Sequence, residues 1–114
     1  MITLYGIKNC DTVKKARKWL ETNGVEYRFH DFREDGMENV PLQQWLEDYS
    51  WEQVLNRRST SWRALDETQK DTMDNPSALT AALDTPTLIK RPVTVSGRGV
   101  LFGFKEAAFK ELVN

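Results

Sequence analysis

The stretch Ile2-Thr3-Leu4-Tyr5-Gly6-Ile7-Lys8-Asn9-Cys10-Asp11-Thr12-Val13 decides how this chain is read. Ile2 to Tyr5 is β-branched and aromatic, which suits a strand, and Gly6 breaks it. Val13, Ala16 and Leu20 then recur at helical spacing with Trp19 beside them. Asp11 or Thr12 is expected to cap this helix, and Asn23-Gly24 to end it. Beyond it, Val25, Tyr27 and Phe29 alternate with polar residues up to Phe32, the pattern of a half-buried strand. A strand, a helix and a second strand in this order imply parallel pairing.

Cys10, the single cysteine, stands where the first strand gives way to the helix. Unpaired backbone N–H groups and the positive end of the dipole at a helix start both favour S⁻ over SH. The thiolate is the nucleophilic form. A free cysteine also serves as a small apolar filler, so the neighbouring residues have to decide between the two roles.

Working outward, polar Arg33-Glu34-Asp35-Gly36 opens about fifty residues of helical signal, expected to be a helical insertion. Pro41 is placed at a first helical position, before an apolar stripe of Leu42, Trp45, Leu46 and Tyr49. Ser50-Trp51-Glu52-Gln53 has the spacing of a capping box opening a second helix through Val54 and Leu55. A short helix is expected over Asp66 to Met73, and Asn75-Pro76 opens another through Leu79, Ala82 and Leu83. Late in the chain, Val93 and Val95 alternate with polar residues. Ser96-Gly97-Arg98-Gly99 then turns, and Val100-Leu101-Phe102 pairs back antiparallel. Lys105 to Val113 closes the chain as a helix with Ala108, Phe109 and Leu112 on one face. The order βαβ, helices, ββα describes an α/β chain with a thioredoxin-like sheet and an inserted helical subdomain. We read residues 1–114 as a single domain, with a core of 1–33 and 86–114 and an insertion over 34–85.

A length of 114 residues, 39% hydrophobic and 29% charged, fits an ordinary globular domain. No run approaches the roughly 18 apolar residues of a membrane span. The N-terminus lacks the basic and apolar regions of a secretory signal, so a cytoplasmic location is expected. One cysteine forbids an internal disulfide. A formal net charge of −1 offers no electrostatic footprint for nucleic acid.

Local charge is more informative. Lys8, Lys14, Lys15, Arg17 and Lys18 outnumber Asp11 and Glu21 around Cys10, an arrangement suited to a thiolate and an anionic partner. Lys8 and Lys14 flank the cysteine loop, whereas Lys15 and Lys18 read as a solvated helix face. Asn9 is available to orient the loop or a substrate, or simply to turn the chain. Asn56-Arg57-Arg58 and Lys90-Arg91-Pro92 add arginines, whose planar fork suits carboxylates and oxyanions. His30 lies mid-strand and reads as structural, and one histidine with one cysteine makes a poor zinc set, so no metal is expected.

Three segments together carry a family resemblance: Leu4 to Thr12, Val54-Leu55-Asn56-Arg57, and Leu88-Ile89-Lys90-Arg91-Pro92-Val93. With them the chain resembles the glutaredoxin-coupled arsenate reductase (ArsC) family and its Spx-type regulator relatives, most closely the YffB subgroup. The resemblance implies a thioredoxin-like fold with a helical insertion, a cis bond before Pro92, Cys10 as redox nucleophile, and Arg57 and Arg91 facing its partner. The chain departs from the arsenate-reducing members, which carry arginines where Lys14 and Gly103 stand here. It also carries Val13 where Spx-type regulators often place a second cysteine.

A one-cysteine reductase takes its second thiol from outside. The expected activity is therefore a glutathione-dependent monothiol reductase acting on a disulfide or mixed-disulfide substrate, with Cys10 catalytic. Lys8, Asn9, Lys14, Arg57, Arg91 and Pro92 are the expected binding residues. Glutathione serves as external reductant, no cofactor is tightly bound, and glutaredoxin is a further candidate partner. Arsenate reduction and a non-enzymatic, Spx-like adaptor using Trp45, Trp51 or Trp62 are the alternatives.

Overall fold

The computed structural model describes residues 1–113 and divides into two compact units. The first comprises Met1–Gly36 and the chain from Arg91 onward, and the second Met37–Lys90. The insertion thus spans Met37–Lys90 rather than 34–85. The earlier limit moves because residues 33–35 form a turn bonded to Asp31 at the end of the second strand. The later one moves because Lys90 N–H donates to Val54 O within the helical unit.

The sheet unit contains β1 (Ile2–Gly6), α1 (Asp11–Thr22), β2 (Tyr27–Asp31), β3 (Val93–Ser96), β4 (Gly99–Phe102) and the closing helix Glu106–Val113. Its strands lie in the order β2-β1-β3-β4. β1 pairs parallel with β2, as expected of a strand-helix-strand unit, while β3 runs antiparallel to both β1 and β4. This is the thioredoxin-like α/β arrangement. β2 is shorter than the predicted Val25–Phe32, because Val25 is taken up by the exit from α1, its N–H donating to Leu20 O. Gly24, at φ +66°, makes that exit in the left-handed conformation a glycine adopts without a Cβ penalty.

Leu4, Val13, Ala16, Leu20 and Phe109 form the fully buried core of this unit. Cys10, Trp19, Phe29, Leu101 and Phe104 pack against it. Phe109 receives both Trp19 and Phe104 edge-on, with ring centroids 5.7 and 4.8 Å away. The polar member of the predicted β3 alternation, Thr94, is also fully buried. It lies opposite Leu4 and Leu101 in the two flanking strands and therefore shares their core-facing side of the sheet.

The helical unit contains α2 (Leu42–Tyr49), α3 (Trp51–Val54), α4 (Thr60–Arg63), α5 (Glu67–Asp71), α6 (Asn75–Asp84) and a 3-10 turn at Pro86–Leu88. Leu42, Trp45 and Leu46 are buried as the stripe predicted, with Pro41 as the cap rather than the first helical residue. The expected Ser50 capping box does not form. Ser50 lies at φ +70° and its side chain caps nothing, while Asn75 Oδ1 accepts from Trp51 N–H and Asn75 Nδ2 donates to Leu46 O. A distant asparagine therefore supplies what the local motif promised. Asp74 and Ser77 make the box that opens α6, and Asp66 with Gln69 makes the one that opens α5. The buried face of α6 is Ala78 and Ala82, leaving Leu83 46% exposed, because small residues let α2 and the 3-10 turn pack closely on it. An antiparallel bridge, Leu55 to Ile89, joins the residue after α3 to the residue after the 3-10 turn.

A Cβ on Gly6 would lie 2.7 Å from Val13 Cγ2, inside a fully packed core. Gly6→Ala should therefore destabilise the protein by about 1–3 kcal/mol through overpacking, read by urea unfolding. A variant as stable as the parent would show that α1 does not need this close approach.

Candidate functional site

Cys10 itself, not Asp11 or Thr12, is the N-cap of α1. Its backbone is extended (φ −85°, ψ 125°), its O accepts from Lys14 N–H at 3.0 Å, and its side chain makes no capping hydrogen bond. The sulfur is thus carried at the start of a twelve-residue helix without being consumed by the cap. It is half-buried against the core, so the filler and nucleophile readings meet in one side chain with one accessible face.

The loop from β1 into α1 is short and tied. Cys10 N–H donates to Ile7 O at 3.1 Å, and Lys8 N–H donates to Asp31 Oδ2 at 2.9 Å. Asp31, 3% exposed at the end of β2, also accepts Arg33 N–H (2.7 Å) and Glu34 N–H (3.0 Å) on Oδ1. Burial alone would push this carboxyl up. The backbone N–H groups of Glu34, Lys8 and Arg33, with the Arg33 charge, outweigh burial and hold it below its ordinary value. Sequence reasoning passed over Asp31. The signal that could have found it is an acidic residue that ends an alternating strand and opens a polar turn, where Asp side chains bond nearby backbone N–H groups.

Register brings a second segment to the same end of the sheet. Tyr5 pairs with Val93, so the exit of β1 toward Cys10 and the entry of β3 from Arg91-Pro92 are neighbours. The Arg91-Pro92 peptide bond is cis, as the resemblance implied. Pro92 is buried, Arg91 is half-buried, and Pro92 O accepts from Gly103 N–H at 2.8 Å. Gly103 lies at φ +88°, a conformation that disfavours any residue with a Cβ.

The other candidates separate. Lys8 is exposed, with its ammonium 3.9 Å from an equally exposed Glu34, a surface pair of little energetic weight. Asn9 and Lys14 are exposed on either side of Cys10. Arg57 belongs to the helical unit, on a turn where Asn56 Oδ1 accepts Arg58 N–H, and its guanidinium lies 5.5 Å from the centre of the Trp51 ring. Trp51 in turn stacks on Trp62 at 5.9 Å. Arg17 is used inside the sheet unit, donating to Tyr27 Oη at 3.0 Å and lying 4.1 Å over Phe29. His30 Nε2 is hydrogen-bonded to Gly36 O at 2.8 Å, a structural role. A cavity of about 420 Å³ is lined by Lys15, Lys18, Trp19 and Phe104 among others, and Cys10 is not one of its walls. Among the described residues no group of His, Cys, Asp and Glu is arranged to hold a metal ion, and no helix is long and apolar enough to cross a membrane.

A thioredoxin-like sheet with its cysteine at the cap of the first helix defines the class of protein. The chain belongs to the ArsC family, whose sequence profile matches residues 5–112. An uncharacterized protein from Haemophilus influenzae is 46% identical over 110 residues, covering 96% of each chain. A solved YffB structure is 43% identical, covers 100% of both chains and superposes with a TM-score of 0.92. An arsenate-reductase-related protein from Brucella melitensis is 42% identical, with coverage of 99% and 94% and a TM-score of 0.80.

The lowered Asp31 carboxyl has a measurable consequence. Its contribution to folding is complete above the unfolded value of about 3.9 and is lost as pH falls through the lower folded value. Urea unfolding of the parent and Asp31→Asn should give a wide stability gap near pH 7 that narrows toward about pH 2. A gap independent of pH would contradict the ionised, hydrogen-bonded carboxylate.

Proposed function

We propose that this protein is a glutathione-dependent monothiol reductase acting on disulfides and mixed disulfides. The observation that carries the reading is Cys10: it caps α1 with an unspent side chain, and it is the only cysteine in the chain. Its thiolate attacks one sulfur of a substrate R–S–S–R′. A Cys10–S–S–R bond forms, the R′ thiolate leaves, and solvent protonates it. The thiolate of glutathione then attacks the R sulfur, regenerating Cys10 and releasing R–S–S–glutathione. When R is itself glutathione, one incoming glutathione thiol suffices: it pairs with the glutathionyl group taken from the substrate, R′ leaves as the free thiol and glutathione disulfide is the product. No second cysteine is required at any step.

Glutathione carries two carboxylates. Lys8, Lys14 and Arg91 are the donors this reading assigns to them in the sheet unit, with Asn9 beside the thiol and the backbone at Pro92 available to the peptide portion. Arsenate reduction is the second reading, favoured by the arsenate-reductase-related protein among the relatives. It is disfavoured by Lys14 and Gly103, since a lysine offers a point charge in place of a bidentate fork and a glycine side chain offers no donor.

Incubation with glutathione disulfide should leave one glutathione on Cys10 by mass spectrometry. Cys10→Ser should abolish both the adduct and the turnover of a glutathionylated thiol. Arg91→Ala should raise KM for glutathione about ten-fold with kcat nearly kept, the sign of lost uniform binding. Arsenate turnover with no adduct and no disulfide turnover would overturn this reading in favour of the second.

A further inference from the structure

We infer that Asp31 is the positioning residue of Cys10: through the Lys8 amide, its carboxylate holds the loop that delivers the thiol to the start of α1. The inference rests on the reading of Cys10 as the reacting group. Four residues, Ile7 to Cys10, separate β1 from α1, and the Lys8 N–H lies in the middle of them. That N–H is bonded 2.9 Å away to a side chain twenty-three positions later, on the neighbouring parallel strand. The same carboxylate ties down the Arg33 and Glu34 amides, so one buried group joins the cysteine loop to the turn that follows β2. Three N–H donors converge on two oxygens, which only a carboxylate satisfies. Asparagine keeps one acceptor oxygen and would present an NH₂ to a remaining donor.

The other charged groups around Asp31 do different work. Asp35 accepts Asp31 N–H at 2.9 Å and so braces the turn, with its carboxylate bonded away from the cysteine loop. The Lys8 ammonium pairs with Glu34 on the surface, and Arg33 adds a favourable charge to Asp31. Asp31→Asn therefore cuts the link to the loop, whereas Asp35→Asn loosens the same turn and leaves that link in place.

Alkylation of Cys10 by iodoacetamide near pH 7, measured on folded protein beside the amide resonance of Lys8, tests the inference. In the parent, the Lys8 amide should shift as the Asp31 carboxyl titrates, with a midpoint below the ordinary carboxyl value of about 3.9. Asp31→Asn should abolish that titration and slow alkylation about ten-fold, the order expected from losing one charge-assisted hydrogen bond. Asp35→Asn should keep the titration and alkylate within about two-fold of the parent. Folded Asp31→Asn alkylating at the parental rate, or Asp35→Asn slowing as much, would overturn the inference. If Asp31→Asn does not fold, a Lys8 amide insensitive to acid in the parent overturns it equally. Iodoacetamide needs no glutathione, so the role of Asp31 is tested even in a protein without reductase turnover.

Discussion

The sheet unit depends on how closely α1 follows β1. Leu4 at the centre of β1 and Val13, Ala16 and Leu20 on α1 share one dry core, and Gly6 is the position at which the two elements come nearest. A side chain there would overlap Val13, so the strand has to end on a residue without one. With the approach set, four residues are enough to turn the chain, and the fourth, Cys10, becomes the helix cap. The thiol's location is thus a by-product of packing. The parallel strand β2 then supplies the buried carboxylate that bonds to the middle of the same loop.

The helical unit solves a different problem. Its helices are short, and isolated helices of that length are marginal, so tertiary bonds do what propagation cannot. Asn75 bonds both the end of α2 and the start of α3, and a single β-bridge closes Leu55 on Ile89. Trp51 and Trp62, read from the sequence as possible interface anchors, stack on one another, and Trp51 receives Arg57. Trp45 is buried on α2. The tryptophans of this unit are used first as structure.

Elements with strong periodicity were legible in the chain: β1, α1, β2, the late hairpin, the closing helix and the apolar stripe of α2. What could be read of the site was whatever depends on residue type and nearby sequence, namely the lone thiol before a helix and the Arg91-Pro92 dipeptide before a strand. The illegible parts share a cause. Ser50 had the spacing of a capping box, yet Asn75, twenty-four residues from the amide it bonds, took that role. Asp31 looked like one more polar residue in a charged turn, and its carboxylate became important only when β2 was laid beside β1. Of the face expected from Leu79, Ala82 and Leu83, Ala82 alone is fully buried, and Ala78 joins it in place of the two leucines.

By itself, the sequence determined that this protein has one thiol, that the thiol falls between a strand and an amphipathic helix, and that any second thiol comes from outside, since there is no other cysteine to supply it. Only the tertiary structure decided that Cys10 is the cap rather than its neighbour, that Arg91-Pro92 enters the sheet beside the exit to Cys10, and that a buried Asp31 bonds to the loop between. The reason is range. Periodicity and composition report on contacts a few residues apart, whereas a strand register and a carboxylate reaching an amide twenty-three positions away exist only after the chain has folded.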